Sequence, residues 1–199
     1  MKTQGNILFC GVGGQGILLA SEITAYGLLA AGFDVKKSEV HGMAQRGGSV
    51  VAHLRYGAKV QSPLIEPGTA DIVVAFEEME AVRYLPFLHQ QSRVVVNTQQ
   101  ILPSAVATGK MTYPENVLAE LATRHIALTA VDAAAVAREL GELRAVNMVM
   151  VGVLSTFLPV AEGMFIDTLQ QRIPERFRAV NLKAFQKGRE ISVISREAW

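Results

Sequence analysis

The sequence predicts an α/β fold, a Rossmann-like open and mostly parallel sheet with helices on both faces and a helical C-terminal region. Three observations carry this. Short unbroken apolar runs, NILFCGV at 6–12, DIVVAF at 71–76 and RVVVN at 93–97, read as strands buried on both faces. Helix-compatible stretches alternate with these runs through the first two thirds of the chain. Past Asp132 the pattern becomes helical throughout.

Taken in order, residues 6–12 form a first strand that ends among glycines. Residues 16–31 follow as a helix with apolar positions Ile17, Leu18, Ala20, Ile23, Leu28 and Leu29, closed by Gly32 as a C-cap. A second strand spans 33–40, completing the strand–turn–helix–strand opening of a doubly wound sheet. The glycines of 42–48 (GMAQRGG) mark a loop, and 49–56 (SVVAHLRY) returns to strand, with 59–60 expected to extend a hairpin past Gly57. After punctuation by Pro63, Pro67 and Gly68 comes the strand at 71–76, then a helix over 77–88, bent or restarted near Pro86. The strand at 93–97 leads into a weakly structured stretch at 99–112. A helix is expected at 114–124 and a strand at 126–131. Asp132 is placed to cap a helix over 133–140. Helices at 147–158, 162–172 and 176–187 are separated by Pro159 and Pro174. No linker divides the chain, so 1–188 reads as one domain and 189–199, with Trp199, as a tail.

Composition narrows the function. Half of the 199 residues are hydrophobic and 19% are charged, below the roughly 25% of an average soluble domain. A partner subunit covering part of the surface is the simplest reason. A net charge of +1, with Lys36-Lys37 the tightest basic group, gives no nucleic-acid footprint. One cysteine, Cys10, excludes an internal disulfide and an all-cysteine iron–sulfur centre in this chain, and its placement in an apolar strand reads as a small buried hydrophobe. His41, His53, His89 and His125 show no zinc-ligand spacing. No signal-like segment starts the chain, and the apolar stretch 146–160 falls short of about 20 residues, so neither export nor a membrane span is expected and the compartment reads as cytoplasmic.

Two motifs invite chemistry. Gly11, Gly13 and Gly16 match G-x-G-x-x-G, with Gly14 and Gln15 between them. Gly11 would permit the turn, Gly13 or Gly14 the close approach of an anion, and Gly16 close packing of the helix. The helix start would offer its N–H groups to a phosphate. A turn with packing needs alone fits the same residues. If the ligand were a dinucleotide, Glu39 is the candidate acid for its ribose, though it leads into the second motif. That motif, Glu39 to Gly48, collects Glu39, His41, Gln45 and Arg46 in a glycine-flanked loop at a strand end. Arg46 could clamp a carboxylate or phosphate. His41 could donate or transfer a proton, and Gln45 is a neutral donor and acceptor. No nucleophile–base–orienter set accompanies them, so an interface loop is the alternative. Glu77 and Glu78 at the next strand end read as helix caps, and Asn97 and Thr98 occupy a further crevice-side position.

The segments GVGGQGILLASEI and SEVHGMAQRGGSVVAHLRYG resemble the gamma-type subunit or domain of the 2-oxoacid:ferredoxin oxidoreductases. The resemblance continues through SPLIEPGTADIVVAFEEMEAVRYLPFL, VVVNT, RAVNMVMVGVLS and NLKAF, almost to Gly188. It implies a Rossmann-like subunit of an enzyme that converts a 2-oxo acid and coenzyme A to acyl-CoA and CO2 while reducing ferredoxin. The implied substrates are arylpyruvates, indolepyruvate first. By the same resemblance thiamine diphosphate and iron–sulfur clusters belong to a large alpha subunit, which agrees with the absence from this chain of both the cysteines and a GDG-type thiamine motif. By the same resemblance the turn Gly11, Gly13, Gly14, Gln15 and Gly16 is a coenzyme A or phosphate contact. The loop Ser38, Glu39, His41, Gly42, Gln45, Arg46, Gly47 and Gly48 faces the partner, with His41, Gln45 and Arg46 as positioners. A hetero-oligomer is implied, and self-association of the isolated chain through the same surface. A stand-alone dinucleotide-binding protein and a purely structural assembly subunit are the competing readings.

Overall fold

The computed structural model describes residues 3–41, 48–102, 106, 108–110, 112–123 and 126–197, with the backbone alone at His41 and over 192–197. Strands β1 (Gly5–Val12), β2 (Asp34–His41), β3 (Ser49–Gly57), β4 (Ala70–Ala75), β5 (Leu88–Asn97) and β6 (Ala127–Val131) form one sheet in the order β2-β3-β1-β4-β5-β6. The helices are α1 (Ile17–Ala30), α2 (Glu78–Arg83), α3 (Val117–Thr123), α4 (Ala133–Glu139), α5 (Val146–Ser155), α6 (Glu162–Arg172) and α7 (Glu175–Glu197).

The sheet is mixed. β1, β4, β5 and β6 are parallel, and β3 runs antiparallel between β1 and β2. The connection over 42–48 is too short for a parallel crossover, which takes about a dozen residues or more. β3 therefore has to return antiparallel to β2. It then fills the place beside β1 that a doubly wound sheet would give to β2.

Burial on both faces explains the unbroken apolar runs. Along β1, Ile7 and Phe9 face one side while Leu8 and Cys10 face the other. The first side packs on α1, α5, α6 and α7 through Ile23, Leu28, Met148, Phe165 and Phe185. The second packs on α2 and α3 through Ala81, Val117 and Leu121. α1 stops where expected. Gly32 takes φ +86, its N–H donates to Leu29 O and that of Phe33 to Leu28 O, the two bonds that close a helix on a left-handed glycine. Asp132 caps α4 by accepting from Ala135 N at 2.8 Å.

Three expectations change. The hairpin past Gly57 does not form. β3 ends there, and Val60 N instead donates to Asp34 Oδ2 at 2.8 Å. The helix expected to Leu88 stops at Arg83, passes through a 3₁₀ turn containing Pro86, and gives way to β5 at Leu88. The helix expected to end near 187 runs on to Glu197, through the segment read as a tail. α5 and α7 cross at Gly152 and Gly188, where a Cβ on Gly152 would collide with Phe185 O and one on Gly188 with Val149 O.

Below α2, His53 is 8% exposed and its Nδ1 accepts from Ile65 N at 3.1 Å, so the ring must be neutral there. Burial pushes its pKa down from the ordinary 6.5. The unfolded chain therefore takes up this proton first. The contribution of His53 to stability is complete above the unfolded pKa of about 6.5 and is lost as pH falls from there through the depressed folded value. His53→Asn, which keeps an acceptor but does not titrate, is expected to remove this component from urea-unfolding free energies measured between pH 7 and 5. An unchanged pH slope would contradict the assignment.

Candidate functional site

α1 follows β1 onto one face of the sheet and α2 follows β4 onto the other. The crevice where chain direction switches therefore opens at the carboxyl ends of β1 and β4, the usual ligand position in open α/β sheets. The glycine turn lies at this crevice. Gly14 has φ +106 and open space where a Cβ would be, so an anion can approach its backbone closely. Gly16 has φ +77 and is the N-cap of α1, with no side-chain cap on the helix start. The positive end of the helix thus faces the crevice without a carboxylate of its own.

Gln15 binds the turn together. Its Oε1 accepts from Val12 N at 2.8 Å, and its Nε2 donates to Phe76 O at 2.7 Å and Gln99 Oε1 at 3.2 Å. One side chain thus bridges the ends of β1, β4 and β5. Asn97, fully buried, joins the same network: Nδ2 donates to Phe76 O at 3.1 Å, and Oδ1 accepts from Ala133 N at 3.2 Å. Gly13 N donates to Gly48 O at 2.8 Å, so the glycine turn is tied to the far flank of the polar loop.

The carboxylates beside the crevice are structural. A buried carboxylate needs full hydrogen bonding, and Glu77, 0% exposed, accepts from Glu80 N at 3.0 Å, Ile101 N at 3.2 Å and the Tyr113 hydroxyl at 2.5 Å. Burial, then the bond to Glu77, raises the Tyr113 pKa well above the ordinary range, so the phenol keeps its proton. Glu80 accepts from Ser49 Oγ at 2.6 Å and Arg83 Nε at 2.9 Å, fixing the start of β3 against α2. Glu78 accepts from Gln100 at 2.8 Å. Cys10 is buried, its thiol pushed up chiefly by burial and then by Glu80, and it points at Glu80 O. A group with a raised pKa is no thiolate nucleophile at neutral pH. Among the described residues Glu77, Glu78 and Glu80 beside the crevice are thus already engaged.

The structure brings Gly11, Gly13, Gly14, Gln15 and Gly16 together, but divides their tasks differently from the G-x-G-x-x-G reading. Gly11 lies inside β1, where a side chain would meet Gln15 and Phe76. Gly13 spends its N–H on Gly48. Gly16 makes room for the Asn147 amide of α5 rather than for a strand. Glu39 does not reach the crevice. β3 stands between β2 and β1, a separation of roughly 10 Å over two interstrand spacings, and its carboxylate accepts from Lys37 Nζ at 2.5 Å. The ribose role that a dinucleotide reading would give it has no geometry here. Ser38 pairs in register with His53 and His41 with Val50 on the antiparallel ladder. Gly42, Gln45, Arg46 and Gly47 lie outside the described residues, as does the His41 side chain. Glu77 caps α2 as expected. The roles of Gln15, Gln99, Tyr113, Ser49 and Asn147 were not anticipated. The signal for Gln15 was a side chain of suitable length set among glycines, facing an unpaired strand end.

The family model described as pyruvate ferredoxin/flavodoxin oxidoreductase matches residues 6–191. The chain belongs to this family. Indolepyruvate oxidoreductase subunit IorB of Archaeoglobus fulgidus is 39% identical over 197 residues, covering 96% of each chain. The subunit of the same name from Thermococcus kodakarensis is 36% identical over 188 residues, covering 92% of this chain and 93% of its own. In fold, the chain is similar to the keto/oxoacid ferredoxin oxidoreductase gamma subunit of Geobacter sulfurreducens, with a TM-score of 0.72 at 22% identity over 96% of this chain and 99% of that one. There is a single cysteine, and no group of three or more His, Cys, Asp or Glu side chains among the described residues is placed to hold a metal. No helix among them is long and apolar enough to cross a membrane.

Proposed function

We propose that this chain is the small, cluster-free subunit of an indolepyruvate-type 2-oxoacid:ferredoxin oxidoreductase and works only beside a large cytoplasmic partner. The observation that carries the reading is the pairing of near-full-length similarity to indolepyruvate oxidoreductase subunits with a polypeptide that has one cysteine, buried. In the partner, thiamine diphosphate would stabilise the carbanion left by decarboxylation, and iron–sulfur clusters would pass the electrons to ferredoxin. This chain's part is enclosure and positioning. The α1 start and the Gly14 backbone offer N–H donors to an anion, for which a coenzyme A phosphate is the natural occupant. The flanks of the 42–47 loop stand at the same sheet end, so His41, Gln45 and Arg46 are assigned as positioners toward the partner's substrate.

The substrate assignment is tested by co-purifying the native pair and following anaerobic viologen or ferredoxin reduction across 2-oxo acids, with and without coenzyme A. Arylpyruvates are expected to give the highest kcat/KM, and only with coenzyme A present. A preference for pyruvate or branched 2-oxo acids would contradict it. In the same assay Arg46→Ala is expected to raise KM for the 2-oxo acid or for coenzyme A by roughly tenfold or more, the scale of one lost charge-assisted hydrogen bond. Unchanged KM and kcat for both would remove Arg46 from the site.

A further inference from the structure

We propose that two copies of this chain associate through β2, strand against strand and antiparallel, about a two-fold axis at Ser38. β2 is one edge of the sheet, and among the described residues only β3 pairs with it. The outward N–H and C=O groups of such an edge are a template for a further strand. Proteins blunt their edges with short strands, bulges, proline or charged side chains. β6, at the other edge, has five residues. β2 has eight, contains no proline, and keeps an unbroken register with β3 from Asp34 to His41. Its lysines are neutralised on their own strand. Lys36 Nζ bonds Asp34 Oδ1 at 2.5 Å and Lys37 Nζ bonds Glu39 Oε1 at 2.5 Å. The edge is therefore long, regular and without a repelling net charge.

Charge selects the occupant and its register. A two-fold axis normal to the sheet keeps every side chain on its own face, and directly opposed residues must share a face. The axis therefore passes beside one residue, which then faces its own copy. At Lys36, Lys37 or Glu39 it would set like charges directly opposite, which is destabilising. At Val35 or Val40 it avoids this but pairs only 34–36 or 39–41. At Ser38 the pairing runs from Val35 to His41 and sets Lys37 opposite Glu39 of the second copy, and Glu39 opposite Lys37. The four charges then alternate in sign both along and across the strands. On the other face Lys36 comes opposite Val40 of the second copy. Val40 is 56% exposed and shares the face of its ladder partner Val51, so the aliphatic stem of Lys36 would cover it. A strand of unrelated sequence would meet the backbone but not this pattern. The inference rests on this edge and not on the enzymatic reading above.

Sedimentation of the full chain is expected to show a monomer–dimer equilibrium that weakens as salt is raised. Lys37→Glu and Glu39→Lys should each weaken it by roughly tenfold or more, because each turns the two central pairs repulsive. Mixed in equal amounts, the two variants should pair with each other as tightly as the unmodified chain pairs with itself. Across the axis every carboxylate then again faces an ammonium. The ion pair within each strand stays broken in both variants, so recovery in the mixture reports contact between chains. Ser38→Cys is expected to give a disulfide-linked dimer under mild oxidation, and Lys36→Cys, set opposite Val40, is not. Should a cysteine variant fail to fold, the mixture decides alone. A chain that stays monomeric up to its solubility limit would overturn the proposal. So would a dimer that neither charge variant weakens, a mixture that does not recover, or readier linkage through Lys36→Cys than through Ser38→Cys.

Discussion

Gly152→Ala is expected to destabilise the fold by about 3 kcal/mol or more, the upper range for a methyl group forced into a packed interior. The added Cβ would meet Phe185 O and the Arg189 backbone nitrogen, which are parts of a helix and cannot rotate away as a side chain could. Relief requires moving α5 and α7 apart, and that opens the core around Met148, Phe165 and Phe185. Gly188→Ala meets Val149 O from the opposite helix and should behave alike. Gly163→Ala is the control. It lies in α6 with open space at its Cβ position, so helix propensity alone acts and the change should be neutral or stabilising by up to about 1 kcal/mol. Urea unfolding of the three variants tests the crossing. Equal stabilities for Gly152→Ala and Gly163→Ala would show that the helices are not in backbone contact.

The second large effect is expected at Gln15. In Gln15→Leu, Val12 N loses its acceptor and Phe76 O keeps only the Asn97 amide. A buried donor left unpaired costs about 1–3 kcal/mol. The functional loss should exceed this. The glycine turn is held against β4 and β5 by this side chain, and a displacement of about 1 Å in a positioning element can cost on the order of a hundredfold in rate. Reconstituted enzyme carrying Gln15→Leu is therefore expected to lose about two orders of magnitude in kcat/KM for coenzyme A. Gln15→Glu keeps an acceptor for Val12 N but turns an oxygen toward Phe76 O and Gln99, so it should be less unstable and equally inactive. Full activity in either variant would show that the turn holds its shape without the bridge.

Much of this was legible in the residues. The runs at 6–12, 71–76 and 93–97 are apolar on both parities because helices cover both faces of the sheet, and that pattern needs no partner to be recognised. Gly32 and Asp132 declared their caps because the left-handed turn and the N-cap bond depend on local chemistry alone. The site was legible in its place and only partly in its workings. Where β3 would sit depends on pairing between distant segments, and its insertion beside β1 is what takes Glu39 out of reach of the glycine turn. The same holds for Gln15, Glu77 and Tyr113. Their partners, Phe76, Ile101 and the 97–101 stretch, come together only once β4 and β5 are aligned, and no spacing along the chain marks them. Gly16 kept its place in the motif but changed its purpose, because the neighbour that requires it, Asn147, arrives from α5.

The most direct test is an anaerobic titration of this chain against the purified large subunit proposed as its partner, with indolepyruvate, coenzyme A and an electron acceptor present. Each polypeptide alone should give no acceptor reduction, and activity should rise with added chain to a sharp stoichiometric end point. Turnover by the isolated chain, or by the large partner without it, would contradict the account.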